Sequence, residues 1–169
     1  MSESHAETPI GAPSKRAREL IRGAYDIHVH SAPDVMKRIA TDLELARAFL
    51  ANGLAGFVIK SHYVSTAGRA ALAREAVPGS DVLGAITLNA SVGGMNALAV
   101  EIAAREGARL VWFPTVDAAN ETAGRVAPKP GAKLPFWASL QQELRAEGIA
   151  SDPVAVVGPD GAGLPETRK

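Results

Sequence analysis

Four short apolar segments recur along the chain about every 26 to 32 residues, and an amphipathic segment lies between each pair of them. The apolar segments span residues 24–30, 56–61, 82–88 and 109–113. They are largely continuous apolar runs, as is typical of parallel strands that are covered on both faces. This repetition predicts an α/β fold built from βα units, either a (βα) barrel or an open doubly wound sheet.

Apolar spacing and capping residues place helices at 14–22, 42–52, 66–76, 93–106 and 136–147. A polar loop at 117–134, a short strand at 154–157 and a helix beginning at Pro165 complete the prediction. A complete eight-unit barrel needs ~250 residues, whereas this chain offers four clear βα units and part of a fifth. The prediction is therefore an incomplete (βα) TIM-barrel type domain over residues 14–169, truncated at its C-terminal end, with residues 1–13 as a disordered leader.

The first strand decides between the barrel and the open sheet. No glycine-rich phosphate loop follows it, which disfavours a doubly wound nucleotide-binding sheet. It ends instead in residue types that bind metals, and barrel enzymes place their active sites at the C-terminal ends of the strands. The TIM-barrel type is therefore preferred, and the open doubly wound small-molecule binder remains the alternative.

Composition excludes several classes of function. The formal net charge is zero, so no excess of positive charge favours nucleic acid or an anionic membrane surface. The chain has no cysteine, which excludes disulfides, thiolate metal sites and cysteine nucleophiles and fits a cytoplasmic protein. No apolar run reaches the roughly 18 residues that a membrane span needs. The expected partners are a small-molecule substrate and another copy of the chain.

Two of the four histidines lie in one triplet, His28-Val29-His30, at the end of the first strand. Side chains alternate along a strand, so both imidazoles lie on one face and can bind one divalent metal ion. His62 follows the second strand and is the expected third ligand. Zinc is the preferred metal, with manganese or iron as alternatives.

Other polar residues cluster at the predicted strand ends. Asp26 precedes the histidine pair on the same face and is expected to orient an imidazole from outside the metal's own ligands. Lys60 is expected to hold the substrate, or to bridge metals if carbamylated, and Asp117 is a candidate general base. Asn89 and Asp34 are candidate substrate-binding residues.

Each of these residues also has a purely structural interpretation. The histidine pair can be satisfied by backbone carbonyls, and His62 and Lys60 can be ordinary surface or ion-paired residues. Asp34 can belong to a solvated charged loop. Asn89 and Asp117 can serve as turn or helix-cap residues.

The segment 25–34, Tyr-Asp-Ile-His-Val-His-Ser-Ala-Pro-Asp, resembles the first-strand Asp-x-His-x-His signature of the amidohydrolase superfamily of metal-dependent hydrolases. The segments 58–63 and 112–117 are similar to an amidohydrolase-like branch of unknown function, and the similarity extends over most of the chain from Gly23. The resemblance implies a distorted (βα)8 barrel that holds one or two divalent metals and hydrolyses amide, ester or phosphoester bonds through metal-activated water.

By this resemblance, His28 and His30 match the first-strand metal ligands of the superfamily. Its later ligands are histidines after middle strands and an aspartate after the last strand, and this sequence has no histidine after His62. The expected function is a metal-dependent hydrolase. The alternative is a non-catalytic, incomplete barrel that binds a ligand or forms oligomers through its open edges.

Overall fold

The computed structural model describes residues 13–123, 133–149 and 152–168. Strands alternate with helices through its first two thirds, as the apolar repeat predicted. The strands are β1 (Tyr25–Val29), β2 (Gly56–Ile59), β3 (Asp81–Thr87) and β4 (Ala108–Trp112). The α-helices are α1 (Lys15–Leu20), α2 (Asp42–Ala51), α3 (Ala67–Ala76), α4 (Ala97–Glu106), α5 (Ala119–Ala123) and α6 (Phe136–Ala146).

The four strands form one parallel sheet in the order β1-β2-β3-β4, so each strand pairs with the next one along the chain. Tyr25 lies opposite Gly56 in the first pair, and Gly56 lies opposite Asp81 in the second. A parallel arrangement brings all four carboxyl ends to one edge of the sheet. The predicted α/β class with alternating βα units is therefore confirmed.

One face of this sheet is covered by three helices. Phe57 and Ile59 of β2 pack against Ala46 of α2 and Ala70 of α3 in the first part of the core. The second part joins β3 and β4 to α3 and α4. Alanines form much of the helix side of both clusters, and their short side chains let the helices approach the sheet closely. Residues that alternate with the core residues of the strands, such as Val58 and Ala85, are also buried and lie on the other face of the sheet.

Gly84 marks the closest approach of α3 to β3. A Cβ atom at this position would lie 2.5 Å from the Cα atom of Ala67, which is backbone and cannot move aside cheaply. We expect Gly84→Ala to lower the free energy of unfolding by about 2 kcal/mol, because it overpacks the helix–sheet contact. Gly68→Ala is the control, since its Cβ would meet only the flexible side chain of Glu106 at 3.3 Å. Urea unfolding of both variants tests this, and equal stabilities would contradict it.

Several predicted boundaries were wrong for local reasons. The helix predicted from Gly93 begins at Ala97, because Gly93 and Gly94 both have positive φ and Asn96 caps the helix with its side chain. A 3₁₀ turn, Ala90–Val92, precedes them. The strand predicted at 154–157 is reduced to isolated bridges, Ala118 with Val154 and Val157 with Gly163. The predicted polar loop contains α5, and the segment from Pro165 is a 3₁₀ helix.

Residues 1–12 of the predicted leader lie outside the described residues. In the part of the chain that is described, no helix combines the length and apolar character that crossing a bilayer requires.

Candidate functional site

The carboxyl end of the sheet, on the face opposite the helices, carries most of the residues that the sequence singled out. The rings of His28 on β1 and Trp112 on β4 lie 5.1 Å apart, although two strands separate β1 from β4. The ammonium of Lys60, just after β2, lies 4.1 Å from the centroid of the same indole ring. Side chains from the first, second and last strands therefore converge on one place, as the parallel arrangement predicted.

His28 and His30 form a contacting pair. Their Nε2 atoms are 3.3 Å apart, and Arg38 donates from Nη2 to Nδ1 of His30 at 3.2 Å. Because a guanidinium has no acceptor, Nδ1 of His30 must carry a lone pair, and its Nε2–H then donates to Nε2 of His28. The hydrogen bonds thus describe two neutral imidazoles. The predicted placement of both rings on one face is reproduced.

His62 joins this pair. Its ring centroid is 4.8 Å from that of His30, and its Nδ1 lies 2.9 Å from the hydroxyl oxygen of Thr115. Thr115 is fixed in turn by Asn89, whose amide donates to the same hydroxyl at 3.0 Å. The three histidines that the sequence named are therefore neighbours, and a hydrogen bond at Nδ1 leaves Nε2 of His62 for another partner.

All three histidines are held in the neutral form. Burial, followed by the charge of Arg38, lowers the pKa of His30 to about 4. Burial and the neighbouring His30 lower the pKa of His62 to about 4. Partial burial and the charge of Lys60 also lower the pKa of His28 from its usual value. Neutral imidazoles carry the lone pairs that metal coordination needs at neutral pH.

Asp34 provides a buried carboxylate beside these rings. Its side chain is 2% exposed, and Arg38 holds Oδ2 through a 2.6 Å ion pair while also contacting His30. The other oxygen, Oδ1, is buried without a hydrogen-bond donor among the described residues, and so is the hydroxyl of Tyr63. The negative charge of Asp34 contributes to the raised pKa of Tyr63. It also partly offsets the lowering of the pKa of His30 and of His62. An acceptor left bare in such a place is suited to a water, a cation or a substrate proton.

Asp117 and Asn89 have structural partners. The carboxylate of Asp117 is ion-paired with Arg145 at 3.1 Å and accepts the backbone N–H of Ala90. It lines a smaller cavity on the side of Tyr63, apart from the one at the histidines. Asn89 is fully buried and binds backbone groups on both sides of it. Neither side chain is therefore directed at the histidine cluster as a free group.

Asp26 acts on the backbone. Its Oδ1 accepts the backbone N–H of His28 at 2.9 Å, and its charge raises the pKa of that imidazole. It thus fixes the main chain of the His-x-His segment, whereas the sequence predicted a hydrogen bond to a ring nitrogen.

A cavity of ≈ 450 Å³ opens at the cluster. His28, Lys60 and His62 form its polar floor, and its remaining wall comes from the segment after β4 and from α5 and α6. The volume lies in the range of small-molecule sites. The wall includes Trp137 of α6, which the sequence indicated only as part of an amphipathic helix.

The residues present can be compared with the needs of a divalent metal. Among residues 13–123, 133–149 and 152–168, no three His, Cys, Asp or Glu side chains form a ready metal-binding group. A pair of neutral imidazoles nevertheless lies with both Nε2 atoms together, and the buried Oδ1 of Asp34 lacks a partner. Imidazole nitrogens are donors that suit a borderline-soft cation such as zinc.

Several side chains that organise the site were not recognised as functional in the sequence. Arg38 couples Asp34 to His30, and Trp112 contacts both His28 and Lys60. Arg69 binds the carboxylate of Asp42 through Nε and Nη2 and also donates to the carbonyl of Ser31. These contacts anchor the segment that follows His30. The four-residue spacing of Asp34 and Arg38 was the available signal for the first pair, whereas the last network joins residues far apart in sequence.

No curated protein and no solved structure matches the chain to a significant degree. One family model does match, over residues 23–169, and these residues include every member of the site described above. The chain therefore belongs to the Family of unknown function (DUF6282).

Proposed function

We propose that this protein is a metal-dependent hydrolase of amidohydrolase type, acting on an amide, ester or phosphoester bond. The observation that carries the proposal is the 3.3 Å separation of the Nε2 atoms of His28 and His30. Two nitrogen ligands of one tetrahedral zinc ion, each about 2.0–2.1 Å from the metal, lie about 3.3 Å apart. The pair thus has the spacing of two zinc ligands as well as that of a hydrogen bond.

Protonation supports the same assignment. The lowered pKa values of His30 and His62 keep both rings neutral at physiological pH. We assign His28 and His30 as the residues that hold the metal, with His62 as the third nitrogen donor. Coordination through Nε2 of His30 places the ring proton on Nδ1, so the contact of Arg38 with Nδ1 must open when the metal binds. Thr115 holds His62 by its other ring nitrogen, which is the usual way in which a ligand imidazole is oriented.

The chemistry that such a cation supplies is Lewis-acid activation of water and of the carbonyl or phosphoryl group. Proton transfer belongs to Asp34, whose Oδ1 is a buried acceptor with no donor in the described residues. Arg38 fixes the other carboxylate oxygen and so orients Oδ1. Asp117, the candidate base from the sequence, is occupied by Arg145 and Ala90 and is assigned a structural role instead.

A barrel-type arrangement of the strands belongs to the same proposal. A doubly wound sheet reverses its strand order at a switch point, whereas the four strands here follow strictly in chain order. Strands lie about 4.8 Å apart, so β1 and β4 would be about 14 Å apart in a flat sheet. The 5.1 Å contact of His28 with Trp112 supports a sheet that curves toward this face, as barrel strands do.

Metal binding is the first test. Adding zinc to chelator-treated protein is expected to raise Tm by several degrees, because a ligand that binds only the folded state stabilises it. Elemental analysis should then find bound metal, and EDTA should reverse the shift. An unchanged Tm, with no metal retained after zinc, manganese or iron supplementation, would contradict the proposal.

Hydrolysis is the second test, with a matched pair of Asp→Asn variants. Using p-nitrophenyl acetate and zinc-loaded protein, Asp34→Asn is expected to lower kcat about 100-fold, the usual contribution of a general base. Asp117→Asn is expected to keep kcat but lose stability, because Arg145 loses its charged partner. The reverse pattern would identify Asp117 as the general base.

A second candidate function is a non-catalytic module that binds a ligand or another copy of the chain. It is favoured by exposed apolar side chains on both edge strands, Ile27 on β1 and Val111 on β4, each about half exposed. Edges of this kind favour association. Size-exclusion chromatography distinguishes this candidate, because a monomer that hydrolyses the ester would not fit it.

A further inference from the structure

Lys60 is a buried cation without an anion. The residue is only 4% exposed, and its ammonium lies over the ring of Trp112. In the described part of the chain, no carboxylate, carbonyl or hydroxyl accepts a hydrogen bond from it, and it makes no ion pair. Lysines are almost never buried without such a partner, since a buried charge is costly unless it is paired. The cation–π contact with Trp112 offsets only part of this cost.

The indole N–H of Trp112 is a second donor without a hydrogen-bond acceptor in the described residues, and its Nε1 atom is buried. The Lys60 ammonium and the Trp112 N–H therefore both lack acceptors, and they belong to side chains in direct contact. A buried donor without a partner is uncommon in native proteins, and its position beside an unpaired ammonium indicates that an acceptor from outside the chain completes the site.

The cavity at the histidines gives that acceptor a place. Lys60 lines it together with His28 and His62. The other charged side chain of the lining, Glu121, is an exposed residue. Lys60 therefore supplies the positive charge beside the histidine pair.

The remaining wall has an apolar portion beside the polar side chains of Thr115, Asn120 and Glu121. Pro114, Val116, Ala118 and Trp137 contribute to the apolar portion. A ligand that fits such a cavity has an acidic group at one end and an apolar body at the other. The cavity volume of ≈ 450 Å³ suits a small organic acid.

We propose that this cavity binds a small organic anion, whose carboxylate or phosphate group accepts hydrogen bonds from Lys60 beside His28. That the anion is the substrate rests on the proposed hydrolase, whereas the anion site itself does not. In the hydrolase, the charge contact places the anionic group next to the histidine pair, so the bond to be cleaved lies close to the acidic end of the molecule.

The test uses benzoate, phenyl phosphate and neutral benzamide as probes, titrated calorimetrically into chelator-treated protein. At least one anion is expected to bind about 10-fold or more tightly than benzamide, and the preferred anion distinguishes a carboxylate from a phosphate ligand. Lys60→Met should abolish this preference, and Lys15→Met, which removes an exposed lysine from α1, should retain it. No anion binding at about 10 mM, equal binding of benzamide, or a preference that survives in Lys60→Met would overturn the proposal.

Two further readouts separate this site from alternatives. Tm of Lys60→Met without ligand should equal or exceed that of the wild type, because the variant removes an unpaired buried charge and keeps the apolar stem. A large loss of Tm would show that Lys60 is a structural ion-pair partner and overturn the proposal. Zinc binding is measured separately, so failure of the metal centre with intact anion binding would refute the hydrolase alone.

Discussion

His30→Ala is expected to weaken zinc binding about 100-fold or more, because it removes one of the two nitrogens that lie at ligand spacing. Loss of the ring also leaves Arg38 without its imidazole partner, but the Arg38–Asp34 ion pair remains. The variant should therefore stay folded. Competition with a chromogenic zinc chelator measures the affinity directly.

The other variants around this pair should form a graded series. Thr115→Val removes the hydroxyl that holds His62, so we expect a loss of about 10-fold, as is typical when a partner of a ligand imidazole is removed. Asp26→Asn should change the affinity little, since its carboxylate binds the backbone N–H of His28 and its amide oxygen can do the same. Zinc affinity that is equal in His30→Ala and the wild type would refute the metal centre at this pair.

The βα architecture could be predicted because its signals are local. The four apolar runs of the sequence lie within about two residues of the observed strands, and Thr41 caps α2 with the capping box typical of a helix start. The helix start predicted at Gly93 failed because two glycines at positive φ and a capping asparagine compete with helical spacing, and only the backbone conformation decides between them.

The site could be predicted only in part for a related reason. His28, His30, Lys60 and His62 were identified because period-two spacing and parallel strand ends fix where such residues meet. The partner of Asp117 could not be predicted, because its contact with Arg145 joins residues 28 positions apart along the chain. For this reason the sequence assigned the general base to Asp117, whereas the bare carboxylate oxygen beside the histidines belongs to Asp34.

Asn89→Ala is expected to lower the free energy of unfolding by about 3 kcal/mol, the largest stability effect that we predict for a single polar side chain. Asn89 is fully buried after β3 and joins the ends of three strands. Its amide donates to the carbonyl of His62 at 2.9 Å and to Thr115, and its Oδ1 accepts the backbone N–H of Thr115 at 2.7 Å. Removing it leaves buried backbone groups without partners, which costs more than the hydrogen bonds themselves contribute.

The same substitution should also weaken zinc binding, because it changes the orientation of His62. Asn89 fixes both the main chain of His62 and the Thr115 hydroxyl at its ring, so the ring loses its orientation when Asn89 is absent. We therefore expect zinc affinity to fall about 10-fold, together with the loss of stability seen in urea unfolding. Asn52→Ala is the matched control, because its exposed amide binds only the carbonyl of Ala48 at the end of α2 and should change stability by about 0.5 kcal/mol or less. An Asn89→Ala protein as stable as this control would show that the three strand ends are held by other contacts.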